Sequence, residues 1–230
     1  AGIMRESTYA VVGDAEPPIS VLKHANTINA KLLCRDKQFS LTKNKINWSF
    51  SLNHNVYEKL NKPYIPIDNV ATALTVLSLL DVTINSDKIN AVIELTKVAG
   101  RTELFVKDCD VILDVGHNPQ AARYLAQQLK DMNYSKVFAV VGMLADKDIT
   151  NALLPLKNNV SAWYLGDLQV SRGATAQQLS EKLNLSTESV NCFDNVTQAF
   201  KMASSVASPK DLILVYGSFY TVAEIRRLLV

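Results

Sequence analysis

The chain has 230 residues, 48% of them hydrophobic and 20% charged, with a formal net charge of +2. That balance excludes a disordered or fibrous protein and leaves room for one large domain or two small ones, each with its own core. Without a clustered run of Lys or Arg there is no electrostatic footprint for nucleic acid or an anionic membrane. Cys34, Cys109 and Cys192 are widely spaced and form no C-x-x-C pair, so neither a disulfide framework nor a zinc site is expected, and a reducing cytoplasm is the natural compartment. The most apolar long window, Val70 to Leu80, is broken by Thr72, Thr75 and Ser78 and is too short to span a bilayer. Ala1-Gly-Ile-Met-Arg5 carries neither an initiator Met nor a signal-peptide pattern, and reads as the middle of a longer protein.

In chain order, Tyr9 to Val12 reads as a strand, a helix starts near Pro17, and Lys31 to Cys34 is a second strand. Ile46, Trp48, Phe50 and Leu52 alternate with polar residues, the pattern of a half-buried strand. A Pro63-x-x-Pro66 loop leads into a helix from about Asp68 to Leu80. A second helix, capped by Ser86, runs to Ala99-Gly100, where Gly is the usual residue past a helix end. The domain boundary is expected there, dividing the chain into 1–100 and 101–230.

Beyond it, strands and helices alternate, which predicts an α/β domain with a mostly parallel sheet and helices on both faces. The strands are Val111 to Leu113, Val137 to Val141, Val160 to Leu165, Val190 to Phe193 and Leu212 to Tyr216. Asn118 before Pro119 is a good N-cap, and Ala121, Ala122, Leu125 and Leu129 mark one apolar helix face. Thr175-Ala-Gln-Gln178 is a capping box. In such a sheet the loops after the first, second and fifth strands share one edge, where open α/β folds bind ligands. Those loops hold Asp114 to Asn118, Gly142 to Asp148, and Gly217 to Phe219.

Neither G-x-x-x-x-G-K-[ST] nor G-x-G-x-x-G occurs, so no P-loop and no dinucleotide fingerprint is encoded here. His24, His54 and His117 lack ligand spacing, and no metal site is expected from this chain. Ser218 follows a strand, but Tyr220 stands where a G-x-S-x-G elbow needs Gly. Ser218 therefore reads as a carboxylate donor or as a cap for the last helix.

Several segments taken together are more specific than any alone: Ala1-Gly-Ile-Met-Arg5, Asp68-Asn-Val-Ala-Thr-Ala73, Gly100-Arg101, Leu113-Asp-Val-Gly-His-Asn-Pro119, Gly142-Met-Leu-Ala-Asp-Lys-Asp148, Ser171-Arg-Gly-Ala-Thr175 and Tyr216-Gly-Ser-Phe-Tyr-Thr-Val222. Their order resembles the Mur ligase superfamily, and within it the bacterial folylpolyglutamate synthase and dihydrofolate synthase family, over the whole chain. The resemblance implies a Rossmann-like C-terminal domain preceded by part of an α/β ATPase domain.

It further implies a cytoplasmic, monomeric ATP-dependent ligase. ATP phosphorylates a carboxylate of dihydropteroate or a reduced folate, and the amine of L-glutamate attacks the acyl phosphate, with magnesium as cofactor. By resemblance Asn69, Arg101 and Asp114 contact ATP, and His117, Ser218 and Lys147 hold L-glutamate. Tyr220 stands where many relatives carry a different ring, and Asp146 and Arg172 fit the motif without a defined role. The resembled enzymes carry their P-loop and a magnesium-ligating lysine before the segment matching Ala1 to Arg5, so the isolated chain is expected to be inactive, with no catalytic residue of its own assigned. The competing readings are a sister Mur ligase of cell-wall precursor synthesis and a non-catalytic nucleotide-binding module.

Overall fold

The computed structural model describes residues 2–80, 82–184 and 189–230. Ala1, which opens the first motif, lies outside the described residues. The chain divides into two compact units, Ala1–Lys97 and Val98–Val230.

In the first unit β1 (Tyr9–Val12) and β2 (Lys31–Cys34) pair in parallel around α1 (Ile19–Thr27). A meander follows: β3 (Phe39–Lys43), β4 (Trp48–Leu52) and β5 (Asn55–Leu60), with α2 (Ile67–Leu77) and α3 (Ser86–Leu95) behind it. Trp48, Phe50 and Leu52 face the core as their alternation predicts, together with Phe39, Leu60, Leu74, Ile89 and Ile93. Ile46 does not join them and is 82% exposed. The Asn44 side chain accepts from the Ile46 and Asn47 N–H groups and turns the chain before the strand begins.

The two helices are shorter than expected. α2 stops at Leu77, where the Ser78 hydroxyl turns back to the Thr75 carbonyl. α3 is capped by Asn85, not Ser86, through the Lys88 N–H at 2.9 Å, and it ends before Thr96, which has left the helical region with ψ 92°.

The second unit is a six-stranded sheet: β6 (Glu103–Phe105), β7 (Asp110–Asp114), β8 (Val137–Val141), β9 (Ala162–Gly166), β10 (Val190–Phe193) and β11 (Leu212–Tyr216). Its order is β10-β9-β8-β11-β7-β6, parallel except for β6, which pairs antiparallel with β7 at one edge. β8 and β11 are buried along their whole length, the continuous apolar run of a sheet covered on both sides. On one face, α4 (Pro119–Asp131), α5 (Ile149–Leu153) and α6 (Ala176–Leu183) pack over Ile112, Ala139, Val141, Leu165 and Leu214. On the other, α7 (Val196–Val206) and α8 (Phe219–Leu229) cover Val111, Leu113, Val140, Ile213 and Val215.

Local signals are realised where they are strong. Asn118 caps α4 through the Ala121 N–H, Pro119 sits in its first turn, and the Thr175–Gln178 capping box opens α6. Ala122, Leu125, Ala126 and Leu129 are the buried face of α4, with Ala121 half-exposed beside them. Among the described residues no helix is long and apolar enough to cross a membrane.

Candidate functional site

Because β11 lies between β7 and β8, the carboxyl ends of these three strands are neighbours, and the loops leaving them meet. The backbone conducts each turn under tight constraint. Gly217 leaves β11 at φ +119°, a conformation closed to L side chains, and a Cβ there would lie 2.6 Å from Met143 Cγ and 2.7 Å from the Gly142 carbonyl. Ser218 then caps α8. Its Oγ accepts from the Thr221 N–H at 3.0 Å and donates to Thr221 Oγ1, which donates in turn to the Gly142 carbonyl at 2.8 Å. The one Ser218 proton is thus held inside the chain, and the buried hydroxyl ties the β11 loop to the β8 loop.

His117, Leu144, Lys147, Gly217, Ser218, Phe219 and Tyr220 line a cleft of about 60 Å³. That is far below the roughly 300 Å³ or more of a pocket that encloses a ligand the size of a nucleotide. His117 is half-buried, and its Nδ1 is 3.0 Å from the Val115 carbonyl. A carbonyl only accepts, so Nδ1 carries the proton and Nε2 is left for a ligand, as an acceptor on the neutral ring or a donor on the charged one. Lys147 supplies positive charge at the rim. Its Nζ donates to Asp146 at 3.1 Å, and that ammonium, with Arg172 at 3.6 Å, holds the Asp146 carboxyl below its usual range.

The Arg172 segment is zipped to the β8 loop by Ala145 N–H to the Arg172 carbonyl and Ala174 N–H to the Met143 carbonyl. Asp146, without a role in the sequence, is thereby paired with both Lys147 and Arg172.

Asp114 ends β7 beside this cleft and is only 8% exposed. One oxygen accepts from the Gly116 N–H at 2.7 Å. The other accepts from both the N–H and the hydroxyl of Thr102, at 3.0 and 3.2 Å. Burial pushes the carboxyl up, and these donors and the Arg101 charge pull only part of the way back. Across the strand pair Tyr216 is fully buried, its hydroxyl pushed up by burial and by the Asp114 charge.

The partner of Asp114, Thr102, was not legible as a site residue. It is β-branched yet sits at φ +47°, a strained conformation, and Gly100 two residues earlier is at φ +69°. A Cβ at Gly100 would lie 2.8 Å from Val115 Cγ1 and 3.0 Å from Val222 Cγ1. The turn between these two residues presents the exposed Arg101.

Arg101, Asp114, His117, Lys147 and Ser218 all belong to the second unit. Asn69 belongs to the first, exposed in the opening turn of α2. That helix begins after Pro66 without a side-chain cap, so capping is not what Asn69 does. Among the described residues no group of three or more His, Cys, Asp or Glu side chains could hold a metal ion.

The model of the Mur ligase glutamate ligase domain matches residues 100–219. The dihydrofolate synthase/folylpolyglutamate synthase of Escherichia coli (strain K12) is 38% identical over 226 residues, covering 98% of this chain and 53% of that protein. The solved structure of E. coli FolC in complex with DHPP and ADP superposes with a TM-score of 0.91 at 37% identity, over 99% of this chain and 54% of that one. A bifunctional folylpolyglutamate synthase/dihydrofolate synthase with Mn, AMPPNP and L-glutamate bound superposes with a TM-score of 0.90 at 35% identity, over 99% and 55%. The chain spans about half the length of the curated relatives it matches.

Proposed function

Because the chain belongs to the Mur ligase family through its glutamate ligase domain, we propose that it supplies the glutamate-binding half of an ATP-dependent amide ligase acting on dihydropteroate, a reduced folate, or both. The observation that carries this reading is the cleft where His117, Lys147 and the N-terminus of α8 converge from three strand ends. Its contents suit an amino acid with two carboxylates. Lys147 offers a cation, and the first N–H groups of α8 offer donors with the positive end of a helix dipole behind them. His117 Nε2, as a neutral acceptor, suits the amine. Ser218 contributes as the cap that sets the start of α8 rather than through its own proton, which Thr221 holds.

In the reaction the glutamate nitrogen bonds to the acyl carbon, the carbon–oxygen bond to phosphate breaks, and the nitrogen sheds a proton within reach of an acceptor such as Nε2. Arg101 meets the phosphoryl oxygens whose charge grows as that bond breaks. Asp114, with acceptor capacity beyond its three bonds, meets the nucleotide's hydroxyls, and Asn69 is the nucleotide contact of the first unit. Magnesium, a monomeric state and a cytoplasmic location complete the reading. L-glutamate and AMPPNP bound to one solved relative, and ADP bound to another, support it.

The test is calorimetric titration of L-glutamate into the natural protein that carries this chain, beside Lys147→Ala and His117→Ala. Lys147→Ala is expected to weaken binding about tenfold or more. Unchanged affinity overturns the cleft assignment, and tighter binding of D-glutamate or diaminopimelate moves the protein to a cell-wall branch of the family. The 230-residue chain alone is expected to release no phosphate from ATP; release above a buffer control overturns that expectation.

A further inference from the structure

We propose that Phe219 is a positioning residue for Arg101, holding its guanidinium at the angle from which it meets phosphate. The Arg101 Cζ lies 5.8 Å from the centroid of the Phe219 ring, within the range of a cation–π contact. Among the described residues Arg101 makes no ion pair, so apart from the longer-range charge of Asp114 this ring is the contact that orients its side chain. Phe219 is 60% exposed at the first position of α8, where burial gives no reason for a large apolar ring.

The rest of α8 serves the same turn. Phe219, Val222 and Arg226 follow at i, i+3 and i+7, one helical face. Val222 packs where Gly100 has no Cβ, and Arg226 grips Glu103 with Nε 3.1 Å from both carboxylate oxygens. Glu103 in turn accepts from the Gly100 N–H at 2.7 Å. The backbone of Arg101 is fixed from both sides, by Glu103 on Gly100 and by Asp114 on Thr102, and Phe219 fixes what remains, the direction of the side chain. One helix therefore begins at the glutamate cleft and braces the arginine beside it.

This inference rests on the reading of Arg101 as a phosphate contact. It is tested by steady-state kinetics of the natural protein carrying this chain, varying ATP and L-glutamate separately for Phe219→Leu, Phe219→Trp, Arg101→Ala and the double variant Arg101→Ala/Phe219→Leu. Phe219→Leu is expected to lower kcat/KM for ATP about two- to fivefold, with a smaller change for glutamate. Phe219→Trp should restore it, and in the double variant Phe219→Leu should cost nothing beyond Arg101→Ala. Equal losses in Leu and Trp, additive losses in the double variant, or an effect on glutamate alone overturn the role of Phe219.

Arg101→Ala with unchanged ATP kinetics overturns the phosphate reading instead. Side-chain NMR separates the two failures, since the ring-current shift of the Arg101 guanidinium should vanish in Phe219→Leu whether or not phosphate binds there.

Discussion

Asp114 looks at first like a ligand and turns out to be a hub. Its two oxygens bind three donors from segments on either side of β7, and those donors hold a threonine in a conformation it would not choose. Replacing it with Ala leaves two N–H groups and a hydroxyl without acceptors and releases the turn that carries Arg101. Asp114→Ala is expected to cost about 2–3 kcal/mol of stability, read by chemical denaturation. Asp114 stood out in the sequence by its place at a strand end and by the company of the other motifs, since the D-x-x-H-N segment alone reads equally as helix capping. Its partners did not, because a strained β-branched residue leaves no mark in a sequence. Ser218 shows the reverse case, where capping was one of two open readings and the proton count decides how the hydroxyl is used.

Among elements, those with a pattern were readable and those without were missed. The parallel strands are apolar runs with helical patterns between them, and all of their bounds lie within two residues of the expected ones. β3 and β5 mix exposed and buried positions without a clean alternation, and β6 is three residues long, below what periodicity resolves. β6 still matters, since Glu103 on it is the anchor of α8.

Burial pushes the Glu103 carboxyl up, but the Arg226 hydrogen bonds, the Gly100 N–H and the Arg226 charge together bring it below its ordinary 4.5. A depressed carboxyl adds stability that is fully present above its unfolded value and is lost as pH falls through its folded one. Glu103→Gln should therefore lower the denaturation midpoint by a constant amount above pH 4.5, with the gap to the parent closing on acidification below it. A gap that does not change with pH would assign the stabilisation to shape rather than charge.

At the scale of the molecule, each unit carries one tryptophan as an internal reporter. Trp48 sits in the core of the first and Trp163 in the core of the second, both 1% exposed. Among the described residues the first unit has one small apolar cluster, the second two, one on each side of its sheet. In Trp163→Phe the remaining Trp48 fluorescence is expected to change at lower denaturant than the Trp163 fluorescence of Trp48→Phe. Coincident transitions would count against it. The alternation of strands and helices was enough to expect an α/β fold for the second unit. The order of the strands was not, because apolar runs say that a strand is buried and not which strands flank it.

That order has a consequence during synthesis. β11 is made after every other strand of its sheet, yet it belongs in the middle, between β7 and β8. Until the ribosome has passed Tyr216, the nascent sheet can exist only as two separate pieces, β10-β9-β8 and β7-β6. Each ends in an open, apolar edge that will later be interior, the kind of edge that recruits other chains. A pause in translation before Leu212 would leave both edges unpaired at once, and chaperone demand should peak over that stretch of the message.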